Sequence, residues 1–300
     1  MESLKIGNTP LIRLHAIEKA FSLQAELYAK AEQNNAGGSI KDRVALSIFD
    51  DAEKKGLIQK GGTVVEATSG NTGVGLALVA RSRGYKAVIV MPDTMSVERR
   101  QLMQKYGAEL VLTDGKLGMQ GAVEKALEIV NGTPNAFLAS QFENPANPLA
   151  HYQTTAPEIW EQLQGQVDIF VAGVGTGGTV SGIGRFLKEK NPAVKVVGLE
   201  PKESPLLTEG RAGGHKIQGI GANFVPLALD KSVLDEVLTV AGDDAIEMAK
   251  TLQKLENAFV GISAGANILG AILLAKRTEN VGKKIVTVFP DSGDRYASIF

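Results

Sequence analysis

The chain has 300 residues, 44% of them hydrophobic and 22% charged, with 32 basic residues against 33 acidic ones for a net charge of −1. This length holds two α/β domains or one large one, and the charge balance offers no footing for nucleic acid or a membrane surface. With no cysteine in the sequence, disulfides, thiolate metal sites and a cysteine nucleophile are excluded, which fits a reducing cytoplasm, as does the lack of a signal-peptide pattern in MESLKIGNTPLIRL.

The first informative stretch is Gly37-Gly38-Ser39-Ile40-Lys41-Asp42-Arg43. Ser39 reads as a helix N-cap with Asp42 as its capping-box partner. Ile40, Val44, Ile48 and Ala52 give one apolar face, and Gly56 stops the helix. Lys41 then falls in the first turn, where the macrodipole disfavours a cation by about 0.3–1 kcal/mol. A lysine there deprotonates more easily, as a Schiff-base nucleophile must. A solvated lysine on a short helix satisfies the same residues.

From residue 63 short apolar runs alternate with helical patterns. Strands are expected at 63–67, 86–91 and 109–112, with helices over Asn71–Arg83, Ser96–Tyr106 and Gly118–Val130. Asn144-Pro145-Ala146-Asn147-Pro148 interrupts the alternation. It resumes with strands at 168–172, 194–198 and 284–288, and helices over Val180–Lys190, Asp243–Leu255 and Ala264–Lys276. The pattern predicts an α/β protein of two three-layer domains with mostly parallel central sheets. The smaller, mobile domain is expected at 40–145. The larger combines 1–39 with 146–300, and the site is expected in the crevice between them.

Three strand-to-helix junctions are rich in small residues. Thr68-Ser69-Gly70-Asn71-Thr72-Gly73 exposes backbone N–H groups at a helix start, as an anion site or simply as a tight turn. Gly173-Val174-Gly175-Thr176-Gly177-Gly178-Thr179 lets the backbone approach a phosphate closely. It also satisfies Gly-x-Gly-x-x-Gly, with Glu200 ending the next strand, so a dinucleotide site stays open. In Gly261-Ile262-Ser263-Ala264-Gly265, Ser263 is readable as no more than an N-cap. His15, His151 and His215 show no metal-ligand spacing, and a structural role is the default for each.

Together these elements resemble the cysteine synthase (O-acetylserine sulfhydrylase) family of fold-type-II pyridoxal-phosphate (PLP) enzymes, whose fold is that of the tryptophan synthase β-subunit. The resemblance spans nearly the whole chain. It starts at Ile6-Gly7-Asn8-Thr9-Pro10-Leu11, includes the Gly38–Arg43 and Thr68–Gly73 stretches, and continues through Met91–Ser96 with Glu98-Arg99-Arg100. Gln141-Phe142, Asn144–Pro148, Gly175–Thr179 and Pro290–Tyr296 complete it.

The resemblance implies that Lys41 carries the cofactor and moves protons at the substrate Cα. Asn71 bonds the cofactor's 3′ oxygen, Gly175, Thr176, Gly177, Gly178 and Thr179 hold its phosphate, and Ser263 faces its ring nitrogen. Thr68, Ser69, Gly70, Thr72 and Gln141 grip the substrate carboxylate, while Met119 lines the inner wall and Gly219 the mouth. A serine hydroxyl does not enforce protonation of the ring nitrogen, which suits elimination from Cβ.

The implied reaction makes L-cysteine from O-acetyl-L-serine and hydrogen sulfide through an α-aminoacrylate intermediate, with no metal. A homodimer is expected, and the C-terminal peptide of serine acetyltransferase is a possible partner. Cystathionine β-synthase-like replacement with homocysteine and a NAD-dependent dehydrogenase are the alternatives. Two departures are visible. Ala36 replaces a frequent proline, and the sequence stops at Phe300 where many members have a longer tail, which leaves tail-dependent oligomer contacts open.

Overall fold

The structure, a computed structural model, describes residues 4–95, 97–297 and 299–300. Among the described residues the strands are β1 (Leu11–Arg13), β2 (Glu26–Ala31), β3 (Thr63–Ala67), β4 (Lys86–Pro92) and β5 (Glu109–Thr113), followed by β6 (Ala136–Leu138), β7 (Ile169–Gly173), β8 (Lys195–Pro201), β9 (Glu236–Val240) and β10 (Lys284–Phe289). They divide between two compact units. One comprises the chain up to Ile6 with Lys41–Asn147, the other Gly7–Ile40 with Pro148–Phe300.

The smaller unit is built on a four-stranded sheet in the order β5-β4-β3-β6, every pairing parallel. Val64, Val65, Ile89, Val90 and Met91 are wholly buried, as a parallel sheet covered on both faces requires. Val64, Ile89 and Met91 meet the helices Lys41–Lys54 and Asn71–Arg83. Val65, Val88 and Val90 meet Ala122 and Ala126 of the helix Gly118–Gly132 on the opposite face. The Asn71–Arg83 helix has the limits that the sequence predicts, ended by Gly84 in the left-handed conformation (φ 77°) with its N–H bonded to the Ala80 carbonyl. The predicted helix start at Ser96 lies outside the described residues; the observed helix is Val97–Lys105.

The larger unit holds a six-stranded sheet in the order β1-β2-β10-β7-β8-β9. Only the β1–β2 pairing is antiparallel. Phe170, Ala172, Val196 and Val286 pack on the helices Ala156–Gln162 and Gly178–Lys190. Ile169, Val171, Val197 and Ile285 face the helices Gly242–Glu256 and Ile262–Ala275. No helix among the described residues is long and apolar enough to cross a membrane.

Four strands went unpredicted, each for a visible reason. β1 and β6 are three residues long, too short for periodicity. β9 is only partly buried over most of its length. β2 contains Lys30, which is fully buried. Its ammonium donates to the Thr9 carbonyl (2.6 Å) and Gln162 Oε1 (2.8 Å) and pairs with Glu158 (2.7 Å), so a charge sits where the pattern calls for an apolar residue.

Within the smaller unit, Gly75 lets the Asn71–Arg83 helix close onto the start of the Lys41–Lys54 helix. A Cβ at Gly75 would stand 2.9 Å from the Lys41 carbonyl oxygen. Gly→Ala inside a helix ordinarily stabilises by about 0.5–1 kcal/mol. Gly75→Ala should do the reverse, lowering unfolding free energy by about 1–3 kcal/mol through overpacking, measured as a fall in the denaturant midpoint.

Candidate functional site

In the smaller unit, β3 runs into Thr68 and the next helix begins at Asn71. Gly70 is its extended N-cap and supplies no side chain, so no capping side chain occupies the N–H groups of this 13-residue helix. Within the turn the Gly70 N–H donates to Thr68 Oγ1 (3.2 Å) and the Gly73 N–H to the Gly70 carbonyl (3.1 Å). Thr68 and Thr72 are buried. Thr72 Oγ1 donates to Oε1 of Gln141 (2.5 Å), itself buried just beyond β6.

Lys41 is the first residue of its helix, while Ser39, named above as the cap, forms a β-bridge with Asp291. Lys41 keeps part of its surface accessible, yet desolvation pulls its pKa from 10.5 to about 8. The contact at Gly75 sets it beside the Asn71 turn. The fold thus brings Lys41, the Thr68–Thr72 turn and Gln141 to one end of one unit. Met119 is 40% exposed in the first turn of the helix on the other face of the sheet.

In the larger unit, β7 ends at Gly173 and a helix begins at Gly178, two residues earlier than the sequence suggests. Gly178 and Thr179 are therefore helical. Their N–H groups, with that of Val180, lie in the first turn behind Gly177, an N-cap without a side chain. Glycine is obligatory at two positions here. A Cβ at Gly175 would collide with the Gly219 carbonyl, and Gly177 has φ +82° with Leu229 Cβ only 2.5 Å from any added Cβ. Gly219 thus lies against the glycine loop, and the Gly221 N–H donates to the Val174 carbonyl (2.9 Å).

Ser263 is the second residue of its helix, which is N-capped by Gly261, so the N-cap reading fails; nor does a strand precede it, since Val260 makes only an isolated bridge to Ser292. Ser263 is 4% exposed, and its hydroxyl makes no hydrogen bond to another described residue. An unspent hydroxyl on a buried residue, and a helix start whose N-cap glycine carries no side chain and whose Gly178 N–H meets, among the described residues, only the Thr176 hydroxyl at 3.4 Å, fit the ring and phosphate of PLP.

Asn267 escaped the sequence reading, and His151, left there with a structural role, lies beside the glycine loop. Asn267 accepts from the Gly173 N–H (2.8 Å) and donates to the Val288 carbonyl (2.9 Å), locking the Ser263 helix to the base of the glycine loop. His151 is buried in a π-helical turn, 3.0 Å from Thr155 Oγ1 and 3.4 Å from Thr179 Oγ1; π-helical turns concentrate at functional sites. Nothing in their spacing marks either. Glu200, required as a ribose ligand by the dinucleotide reading, is spent elsewhere. Its two oxygens accept from the N–H groups of Leu207 (2.7 Å) and Thr208 (3.0 Å) and from the Thr208 hydroxyl (2.6 Å).

A family model described as pyridoxal-phosphate dependent enzyme matches residues 2–291. A cysteine synthase of Staphylococcus aureus is 48% identical over 294 residues, 98% of this chain and 94% of the relative. Among solved structures, a hydrogen sulfide-producing enzyme of Fusobacterium nucleatum has 46% identity and a TM-score of 0.93, covering 99% of each chain. O-acetyl serine sulfhydrylase isoform 3 of Entamoeba histolytica has 46% identity and a TM-score of 0.94, covering 98% of this chain and 88% of its own.

The lowered pKa makes a direct prediction for cofactor-free protein. A lysine titrating at about 8 instead of 10.5 is half deprotonated about 2.5 pH units below an ordinary one. Acetylation of Lys41 followed by peptide mass spectrometry should be half-maximal near pH 8. A Lys41 profile with no inflection below about pH 10 would contradict the desolvation.

Proposed function

The chain belongs to the pyridoxal-phosphate-dependent enzyme family, and from that membership we infer that it is a cysteine synthase, replacing the acetate of O-acetyl-L-serine with hydrogen sulfide to make L-cysteine. The observation that carries this reading is Lys41, an amine desolvated to a pKa of about 8 and set beside an uncapped helix start, in a chain 48% identical to a cysteine synthase. When bound, PLP supplies an electron sink for charge at the substrate Cα.

The chain's residues do the rest. Lys41 would hold the cofactor through its amine and would take the α-proton of the substrate. Acetate leaves Cβ with the bonding pair, hydrosulfide adds at Cβ, and Lys41 returns the proton to Cα. Asn71 would steady the cofactor's 3′ oxygen. The Gly175–Thr179 loop would take the phosphate through backbone N–H groups and the Thr176 and Thr179 hydroxyls. Ser263 would face the ring nitrogen. Thr68, Ser69, Gly70 and Thr72, with Gln141, grip the α-carboxylate. Met119 and Gly219 line the substrate's approach.

The proposal extends to a smaller domain over 40–145 that closes when the carboxylate binds and excludes water. It places the enzyme in the cytoplasm as a homodimer, with the C-terminal peptide of serine acetyltransferase as a candidate ligand of the same site.

Steady-state kinetics with each activated serine and each thiol tests the reading. O-acetylserine with sulfide should exceed serine with homocysteine by about tenfold or more in kcat/KM. The reverse order would make the enzyme a cystathionine β-synthase.

A further inference from the structure

One buried acid behind the substrate turn has no part in the chemistry above. Glu66 is the fourth residue of β3, two before Thr68, and only 4% exposed. Its Oε2 accepts the Ser140 N–H (2.8 Å) and its Oε1 the Gln141 N–H (3.3 Å). The Gln141 side chain lies near enough to the carboxylate to hold its pKa down. An ionised carboxylate only accepts, so the end of that amide able to serve Glu66 is its nitrogen. The opposite end of that amide, Oε1, then receives the Thr72 hydroxyl (2.5 Å). A chain of contacts thus runs from the strand through Gln141 to the turn.

No cation pairs with Glu66 among the described residues, and burial pushes its pKa up to about 7. Burying an acid without a cation costs the fold free energy, which the two backbone N–H groups it accepts offset only in part. Such a cost marks groups that serve a site.

We propose that Glu66 is the positioning residue of the substrate-carboxylate site: it clamps the Ser140–Gln141 turn and orients the Gln141 amide, which holds Thr72 ready at the turn. The proposal rests on the assignment of Thr68–Thr72 and Gln141 to the α-carboxylate. It separates binding from chemistry, because Glu66 acts on the groups that receive the substrate and not on Lys41.

The test uses the PLP-loaded enzyme. Glu66→Gln keeps the shape but leaves one acceptor oxygen for two backbone N–H groups; Glu66→Asp keeps the charge and withdraws it by one methylene. Three readouts are compared: the dissociation constant of L-methionine, which has no leaving group on Cβ, from the cofactor's absorption change; KM for O-acetylserine; and KM for sulfide. Both variants should weaken L-methionine and raise KM for O-acetylserine by about tenfold, the worth of an oriented hydrogen bond. KM for sulfide and cofactor content should stay within twofold.

Thr72→Ala is measured alongside. If it weakens L-methionine while both Glu66 variants bind normally, the positioning role is overturned and the carboxylate assignment stands. If Thr72→Ala binds L-methionine normally, the carboxylate assignment itself fails. Equal loss of amino-acid, sulfide and cofactor binding in the Glu66 variants would reduce Glu66 to a structural residue and overturn the proposal.

Discussion

Where the Asn71–Arg83 helix has no side chain, at Gly75, the carbonyl of Lys41 approaches to within 2.9 Å of a Cβ position. That close approach is the constraint on which the smaller unit's chemistry depends. It sets two helix starts side by side at the C-terminal end of a parallel sheet. Both positive dipole ends then act on one small volume. They favour an anion at the Asn71 turn and disfavour a charged amine at Lys41. Desolvation works in the same direction, lowering the Lys41 pKa. One packing contact therefore brings the Lys41 amine and the Asn71 helix start, the proposed nucleophile and carboxylate site, to one end of the unit.

The larger unit solves a different problem with the same tools. A phosphate needs several backbone N–H groups at once, and the chain can present them only where no side chain intervenes. Gly175 and Gly177, in the loop proposed for the phosphate, are kept free of side chains under steric compulsion, one against the Gly219 carbonyl and the other against Leu229. Asn267 fixes the loop's base to the helix that carries Ser263. The glycine loop and the helix that carries Ser263 are thus held in register by one amide side chain.

Much of this was legible in the sequence because glycine punctuates it. The Asn71–Arg83 helix was legible from its pattern, with Gly84 stopping it. The parallel sheets followed from continuous apolar runs such as Val64-Val65 and Ile89-Val90-Met91. β2 was obscured by the buried, fully paired Lys30, whose partners Thr9, Glu158 and Gln162 are distant in sequence. Ser263 illustrates a finer limit. A serine near a helix start is equally readable as cap or as first-turn residue, and only the backbone at Gly261 decides. Gln141 became a candidate through family resemblance alone. Glu66 passed for an ordinary strand residue, because nothing local reveals that its carboxylate holds a turn 74 residues away.

The central claim is a covalent one, that the cofactor is carried by the amine of Lys41. Borohydride reduction of the purified, PLP-loaded enzyme, followed by proteolysis and mass spectrometry, addresses it directly. A single pyridoxyl-phosphate adduct on the peptide containing Lys41, absent from Lys41→Ala, is the result expected. An adduct on any other lysine, or none on protein that binds the cofactor, would contradict the account.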